Sequence, residues 1–224
     1  MNYSHELIEI YNLLYDRYGP QHWWPGETRD EIIIGAILTQ NTNWKNAEKA
    51  IENLKHKSLL TLATLRNAEI KKIAQCIRPS GYYNQKATRL KEIAKYFHRK
   101  GLQSFYAHST AKMRKELLAL KGIGPETADS ILLYAFEKPV FVIDAYTKRI
   151  FQRLGFFPEN ISYDEAQKFF MKNIRENPQL FNEFHALLVH HAKEYCQKIP
   201  YCAKCVLLKK CKFEKKNNDL KKKQ

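Results

Sequence analysis

Two glycines one residue apart, Gly122 and Gly124, constrain the fold of this chain more than any other feature of its sequence. They lie in the segment LKGIGPETAD, residues 120–129, between two stretches with helical periodicity. Glycine permits a tight turn, and Pro125 suits the first turn of a following helix. We therefore predict a hairpin of two helices whose turn presents backbone N–H groups to a nucleic-acid phosphate, with Lys121 beside that phosphate.

Apolar residues recur at helical spacing through most of the chain, and strand-like alternation is scarce. Glycine and proline breaks divide the chain into about ten helices. Thr28 and Ser162 are expected N-caps, and Ser162 is followed three residues later by Glu165. The apolar positions that share helical faces include Leu7, Ile10, Leu14, Ala47, Ile51 and Leu54. These patterns predict an all-α fold.

The chain is strongly basic. Its 224 residues include 38 Lys and Arg against 23 Asp and Glu, which gives a formal net charge of +15. Such a charge favours a polyanionic partner, because binding releases counterions. Part of it lies in residues 213–224, which we expect to be a disordered basic tail. No stretch has the roughly 18 apolar residues of a membrane span, so we expect a cytoplasmic protein without a membrane partner.

Four of the five cysteines lie close together near the end of the chain. Cys196, Cys202, Cys205 and Cys211 form a C-x5-C-x2-C-x5-C pattern. Four thiolates are the number that a [4Fe–4S] cluster needs. A zinc site is an alternative, although zinc sites usually show two tight pairs, and disulfides are a third possibility. Cys76 stands alone on an apolar face and is expected in the core.

A single carboxylate follows an apolar run. Asp144 comes directly after residues 140–143 (VFVI), twenty positions beyond Gly124. Packing of the apolar run is expected to hold this carboxylate in place. Asp144 can serve as the N-cap of a helix starting at Ala145, or as a group that takes part in chemistry, and the two roles are compatible.

In combination, these motifs resemble the helix-hairpin-helix DNA glycosylases of the endonuclease III superfamily, from about Thr28 to Cys211. The resemblance implies a six-helix barrel at 27–137 and a second helical lobe, from 1–26 and 138–212, that carries a [4Fe–4S] cluster loop. The markers are residues 38–42 (LTQNT), residues 81–87 (GYYNQKA), the hairpin, Asp144 and the four cysteines.

The resemblance also implies roles for single residues. Such an enzyme, here expected to be a monomer, cleaves the bond between a damaged base and its sugar in duplex DNA, and Asp144 would stabilise the oxocarbenium-like transition state. Gln40 matches the glutamine that fills the gap left by the extruded nucleotide, and Tyr82 matches a second wedge. The alternatives are a helix-interior polar group for Gln40 and core packing for Tyr82.

Two departures from the superfamily pattern affect these expectations. Five residues separate Cys196 from Cys202, where endonuclease III enzymes have six. Glu126 occupies the position at which bifunctional members carry the lysine that forms a Schiff base. Because a carboxylate forms no imine, strand cleavage by that route is expected to be absent or feeble. Glu126 can help position water or favour a positively charged base, or it can be a solvated first-turn glutamate.

Aromatic residues point to the substrate. Trp23, Trp24, Pro25 and Trp44 resemble the pocket of the 3-methyladenine glycosylase branch. Electron-rich rings suit a positively charged alkylated purine, with cation–π attraction of up to about 2 kcal/mol when desolvated. We expect release of 3-methyladenine, and of 7-methylguanine as a second candidate. The alternative role of the tryptophans is to join the two lobes.

Two other functions remain compatible with the sequence. One is a monofunctional glycosylase for mismatched thymine or uracil, or for oxidised pyrimidines, which would need polar groups that read a neutral base. The other is a DNA-binding protein that recognises damage without cutting, with the cluster as a fold staple or redox sensor. Loss of base release in Asp144→Asn, with DNA affinity intact, separates catalysis from binding.

Overall fold

The structure is a computed structural model, and it describes residues 2–213; most of the expected disordered tail lies outside this range. Within it the secondary structure is entirely helical, which confirms the predicted all-α class. The α-helices are α1 (Ser4–Tyr18), α2 (Arg29–Leu38), α3 (Trp44–His56), α4 (Leu62–Asn67), α5 (Ile70–Cys76), α6 (Tyr83–Lys100), α7 (Leu102–Tyr106), α8 (Thr110–Leu118), α9 (Pro125–Ser130), α10 (Ala145–Leu154), α11 (Tyr163–Asn173) and α12 (Pro178–Glu194). Short 3-10 turns are formed by Arg78–Ser80, Cys202–Lys204 and Leu208–Lys210, and a π-helical turn by Ile131–Ala135.

The twelve α-helices among residues 2–213 exceed the ten or so that we predicted. The prediction was low because it relied on glycine and proline as helix breakers. Thr61 and Ser109 begin helices without either residue, since each side chain accepts a hydrogen bond from a backbone N–H of the first turn. The predicted N-caps Thr28 and Ser162 are confirmed, and Ser162 forms a capping box with Glu165.

The chain folds into two compact units. We call Trp24–Lys138 the central unit, and Met1–Trp23 together with Pro139–Gln224 the terminal unit. The central unit contains α2–α9 and the π-helical turn, and the terminal unit contains α1 and α10–α12.

Each unit has its own apolar core. In the terminal unit, Phe141 and Phe170 stack with ring centroids 3.9 Å apart, and Phe184 packs edge-on against both rings. In the central unit, Ile33 and Leu54 are fully buried, and Cys76 is buried as predicted. Aromatic packing of this kind stabilises a fold beyond the transfer of apolar area from water.

A membrane-crossing segment is not found among residues 2–213, since every helix there is too short or too polar to span a bilayer.

Candidate functional site

The hairpin predicted from the two glycines is formed by α8 and α9 of the central unit. Gly122 has a φ of +84°, and a Cβ atom there would lie 2.2 Å from Nε of Arg89. Gly124 is the N-cap of α9 with extended backbone, and a Cβ there would meet open space. Only Gly122 is therefore required by backbone conformation and packing, whereas Gly124 leaves its backbone open to an approaching ligand.

A partly buried ion pair joins the two helices of this hairpin. Arg114 of α8 donates from Nε to Oδ1 of Asp129, at 2.8 Å, and from Nη2 to Oδ2, at 3.1 Å. Asp129 is fully buried in α9. A bidentate pair of this kind fixes both the distance and the orientation of its partners. The sequence reasoning did not identify this pair.

Gln40 lies just beyond α2 and is bound to the hairpin within the central unit. Its Nε2 donates to the carbonyl oxygen of Gly122 at 3.1 Å and to Oγ1 of Thr127 at 2.9 Å. Its Oε1 accepts a hydrogen bond of 2.6 Å from Nη1 of Arg89. The amide of Gln40 is thus held on both sides, and Asn41, exposed and with a φ of +50°, forms the tip of this loop.

Tyr82 is a solvent-exposed aromatic side chain directly before α6. It is 65% exposed and has a φ of +45°. This exposure excludes the alternative that Tyr82 is an ordinary core residue. A bulky residue in the left-handed region is strained, and such strain persists only where the surrounding structure imposes it. Its proposed role as a wedge is taken up below.

Two of the predicted pocket tryptophans meet inside the central unit. The Trp24 ring lies 5.4 Å from that of Trp44 in an edge-on arrangement and 5.1 Å from that of Tyr134. A Cβ atom on Gly35 of α2 would lie 3.2 Å from the Trp24 ring, so this glycine makes room for it. Pro25, the next residue, is exposed. Trp24, Trp44 and Tyr134 therefore form an aromatic cluster.

Trp23 belongs to the terminal unit and has different surroundings. It lines a cavity of about 360 Å³ together with Gln21, His190, Lys193 and Glu194. The Nζ atom of Lys193 lies 6.0 Å from the centroid of the Trp23 ring. This cavity therefore combines an aromatic face with a cation, a carboxylate and hydrogen-bonding groups.

Asp144 is the N-cap of α10 in the terminal unit, as its position before Ala145 predicted. Its Oδ1 accepts a hydrogen bond of 2.7 Å from the backbone N–H of Thr147, which fixes the carboxylate. Its side chain is 13% exposed. The preceding apolar run, Val140–Ile143, is buried, so packing and capping together orient this group.

Two residues of α12 that the sequence reasoning missed lie near Asp144. Nε2 of His185 is 3.7 Å from Oδ2 of Asp144, and burial lowers the pKa of His185 while the carboxylate partly opposes that change. Burial also lowers the pKa of Lys193, and Asp144 again acts in the opposite direction. The spacing of eight residues on α12, two helical turns, places both side chains on one face and could have identified them.

Lys121 and Glu126 are both exposed, on either side of Gly124. Glu126 lies in the first turn of α9, where a negative charge is favourable to the helix dipole. No lysine occupies this position, as the sequence already showed.

The four C-terminal cysteines are partly exposed. Burial and the neighbouring thiols of Cys196, Cys211 and Cys202 raise the pKa of Cys205 to about 11. Like charges on adjacent sulfurs are unfavourable, and a cationic metal centre would remove that cost, so the donor chemistry fits. In the part of the chain that the structure describes, however, no group of three or more His, Cys, Asp or Glu is arranged around a metal ion.

Helix α10 holds the segment that begins with Cys196. Nη1 of Arg153 donates to Sγ of Cys196 at 3.2 Å, and Nε of Arg149 donates to its carbonyl oxygen at 2.8 Å. On α12, Nε2 of His191 lies 3.4 Å from Sγ of Cys205. These contacts position the sulfurs of Cys196 and Cys205.

Comparison with known proteins identifies the family. A family model described as HhH-GPD superfamily base excision DNA repair protein matches residues 34–176, which include the hairpin and Asp144. The chain belongs to this superfamily. It is therefore a DNA glycosylase of base excision repair, and DNA is its partner. The matched residues end before Cys196.

Several proteins are similar to this chain over most of its length. A candidate DNA repair glycosylase of Methanocaldococcus jannaschii is 46% identical over 92% of this chain and 95% of its own length. The 3-methyladenine DNA glycosylase MagIII of H. pylori, solved with 1,N6-ethenoadenine, is 33% identical with a TM-score of 0.75, over 86% of this chain and 98% of its own. An endonuclease III–DNA complex shares the fold, with a TM-score of 0.82 at 23% identity over 98% of this chain and 100% of its own.

Proposed function

We propose that this glycosylase is monofunctional and hydrolyses the N-glycosidic bond of alkylated purines in duplex DNA, releasing 3-methyladenine and also 7-methylguanine. The observation that carries the proposal is that the chain has both a fixed carboxylate, Asp144, and a glutamate, Glu126, at the position of the Schiff-base lysine. An alkylated purine with a formal positive charge is already a good leaving group, so it needs no lysine nucleophile. The likeness to the H. pylori 3-methyladenine glycosylase supports this substrate class.

Asp144 would act on the sugar. As the base departs, positive charge develops on the ring oxygen and C1′, and a carboxylate held nearby lowers the barrier electrostatically. It can also orient or deprotonate the attacking water. The hydrogen bond from Thr147 restricts rotation of this carboxylate, and its second oxygen faces His185. This arrangement supports a preorganised group that does not need to rearrange during the reaction.

Lyase activity would be absent because Glu126 supplies no amine. Lys193 is the amine that tests this statement most severely, since it lies within electrostatic range of Asp144 and burial lowers its pKa. Persistent strand scission with borohydride-trappable protein would contradict the proposal. Repeating the trapping with Lys193→Met would then reveal whether Lys193 forms the imine.

DNA would be held by the hairpin and opened by two loops. Gly124 and Lys121 would contact a phosphate, with Gly122 setting the turn that presents them. Tyr82 would enter the base stack as a wedge, and the Gln40 loop would occupy the gap. The exposure of Tyr82 supports its part in this role.

Three tryptophans, Trp23, Trp24 and Trp44, would form the surroundings of the extruded base together with Pro25. Stacking on Trp24 and Trp44 is supported by their cluster with Tyr134. Replacement of Trp44 by alanine is expected to reduce alkylbase release more than duplex binding. Equal losses of the two would indicate a structural role instead.

One observation favours a second candidate function. The cavity beside Trp23 is lined by the cation of Lys193 and the carboxylate of Glu194, together with the polar groups of Gln21 and His190. The two opposite charges offset each other, and the hydrogen-bonding groups suit a neutral base that offers donors and acceptors. The alternative substrate is therefore a mismatched thymine or uracil, or an oxidised pyrimidine.

Cys196, Cys202, Cys205 and Cys211 would bind a [4Fe–4S] cluster. Four cysteine ligands complete the coordination of such a cluster, so its contribution would be to fold and stability. Arg153 would reduce the negative charge on the Cys196 sulfur. Absorption near about 400 nm, with stoichiometric iron and sulfide, would distinguish a cluster from zinc.

The decisive experiment is mass-spectrometric identification of the bases released from a panel of duplexes, each carrying one lesion. The panel should contain 3-methyladenine, 7-methylguanine, mismatched thymine, uracil and oxidised pyrimidines. Release of the methylated purines with intact abasic strands is the expected result. Release of the neutral pyrimidines alone would replace the proposal with the alternative, and no release from any duplex would favour a damage-binding protein.

A further inference from the structure

Two exposed loop tips of the central unit share an unusual backbone conformation. Asn41 follows Gln40 after α2, and Tyr82 precedes α6; their φ values are +50° and +45°. Left-handed conformations in residues other than glycine cost of order 1–3 kcal/mol and need support from their surroundings. Both tips belong to the loops to which we assign entry into the duplex. A side chain that holds both tips in place would therefore affect how the nucleotide is extruded.

Lys86 of α6 lies between the two backbone segments that lead into these loop tips. Its Nζ donates to the carbonyl oxygen of Leu38 at 2.9 Å and to that of Ser80 at 2.7 Å. Leu38 is the last residue of α2, three residues before Asn41, and Ser80 ends the 3-10 turn, two residues before Tyr82. One ammonium group thus joins the main chain beneath one tip to the main chain beneath the other.

Burial of this lysine is costly for the fold. Lys86 is 1% exposed, and burial together with Arg89 lowers its pKa to about 8. In the described part of the chain its hydrogen bonds are to main-chain carbonyls. An apolar side chain of similar length could fill this volume without the cost of desolvating a charge. Such a side chain would leave both carbonyl oxygens without this donor and could not join the two backbone segments, so the lysine supplies a defined geometry between them.

We propose that Lys86 is a positioning residue that fixes the Gln40–Asn41 loop and Tyr82 at the spacing needed to extrude a nucleotide. Lys86 does not touch DNA in this scheme; it acts through the two backbone segments that it joins. The inference rests on the proposed wedge roles of the Gln40 loop and Tyr82. It does not depend on which base is released.

The same helix provides a matched control. Lys91 of α6 also donates from Nζ to a main-chain carbonyl, that of Ala68 between α4 and α5. Ala68 is remote in sequence from both wedge loops. Lys91→Met therefore removes the same type of hydrogen bond from the same helix without removing the support of Asn41 or Tyr82.

The test compares Lys86→Met, Lys91→Met and Tyr82→Ala. The probe is a duplex with one lesion and a neighbouring 2-aminopurine, whose fluorescence increases when the nucleotide leaves the stack. Single-turnover base release and duplex affinity are measured in parallel. Lys86→Met is expected to slow extrusion and base release at least about 10-fold while duplex affinity stays within about twofold, and Lys91→Met to stay near wild type.

A double-mutant cycle distinguishes positioning from general support of the fold. If Lys86 acts through Tyr82, adding Lys86→Met to Tyr82→Ala should slow extrusion much less than Lys86→Met does alone. Full additivity, or equal effects of Lys86→Met and Lys91→Met, would overturn the inference. If Tyr82→Ala extrudes normally, the proposed wedge role fails instead.

If Lys86→Met does not fold, Lys86→Arg is used in the same cycle, because it keeps the charge and the donors but changes their positions. Lys86→Arg is expected to slow extrusion by several-fold at most. This loss should again be suppressed in the Tyr82→Ala background. An undiminished loss in that background would contradict positioning through Tyr82.

Discussion

The hairpin region of the central unit and the Asp144 region of the terminal unit use polar groups in opposite ways. Around the hairpin, the polar side chains of Gln40, Arg89 and Lys86 are bound to backbone carbonyls or to one another. Around Asp144, one carboxylate oxygen is bound to a backbone N–H, and the other faces a buried histidine at 3.7 Å. The first region is built to hold a shape, and the second presents the carboxylate oxygen to which we assign the chemistry.

The comparison teaches that burial and hydrogen bonding alone do not identify a reactive group. Lys86 is more deeply buried than Asp144, yet both of its hydrogen-bond partners are structural. Three predictions test the contrast between the two regions, beginning with the largest effect.

Asp144→Asn should abolish most base release. Asparagine is also a good N-cap, so α10 should keep its start while the negative charge is lost. We expect the single-turnover rate to fall about 10²–10⁴-fold, with duplex affinity within about twofold. The measurement is quantification of released base under single-turnover conditions.

Asp164→Asn is the control for this change, because Asp164 is an exposed first-turn carboxylate of α11 in the same unit. It should release base at the wild-type rate. Equal rates for Asp144→Asn and wild type would remove Asp144 from the chemistry.

Gly122→Ala and Gly124→Ala should have different effects although they lie in the same turn. Alanine at 122 must adopt a positive φ and displace Arg89, which should lower the free energy of unfolding by about 1–3 kcal/mol. Alanine at 124 meets open space at an ordinary φ, so stability should change by less than about 0.5 kcal/mol. Urea unfolding gives both values.

Duplex affinity sharpens the comparison of the two glycines. If the Gly124 backbone approaches a phosphate, Gly124→Ala should weaken duplex binding at unchanged stability. Equal stability losses in the two variants would show that Gly122 is not the conformationally required glycine.

The pH dependence of stability should show the smallest effect. Burial keeps the pKa of His185 below its value in the unfolded chain, about 6.5. Below that pH the unfolded state binds a proton that the native state does not, so stability falls as the pH decreases. For this single group the slope is at most about 1.4 kcal/mol per pH unit, beginning near pH 6.5.

His185→Leu should lose this contribution, which is measured by comparing unfolding free energies of the two proteins from pH 7 to pH 5. A slope unchanged in His185→Leu would assign the acid sensitivity to other groups.

Local features of the sequence predicted much of the fold. Ser162 and Glu165 were expected to form an N-terminal cap from their spacing, and they do. Asp144 was expected at the start of a helix after a buried run, and it lies there. Such features depend on residues within a few positions of one another, so they can be recognised without knowledge of the tertiary structure.

Other features depended on residues far apart in the chain. The sequence treats Trp23 and Trp24 as equivalent neighbours, yet Trp24 packs on Gly35 and Trp44 while Trp23 lies beside Lys193. Likewise, no local pattern shows that the amide of Gln40 binds the hairpin 82 residues later. The partners of a long polar or aromatic side chain are decided by which helices pack together.

The sequence by itself determined the helical class, the hairpin and its glycines, the capping carboxylate and the absence of a lysine at position 126. These follow from short-range periodicity, backbone conformational preferences and residue identity. Only the tertiary structure showed that Gly122 and Gly124 differ and that Tyr82 is exposed. It also showed that Lys86 is buried between two loops and that His185 lies near Asp144. The physical reason is that burial and partnership are properties of packed helices, and packing joins residues that the chain keeps far apart.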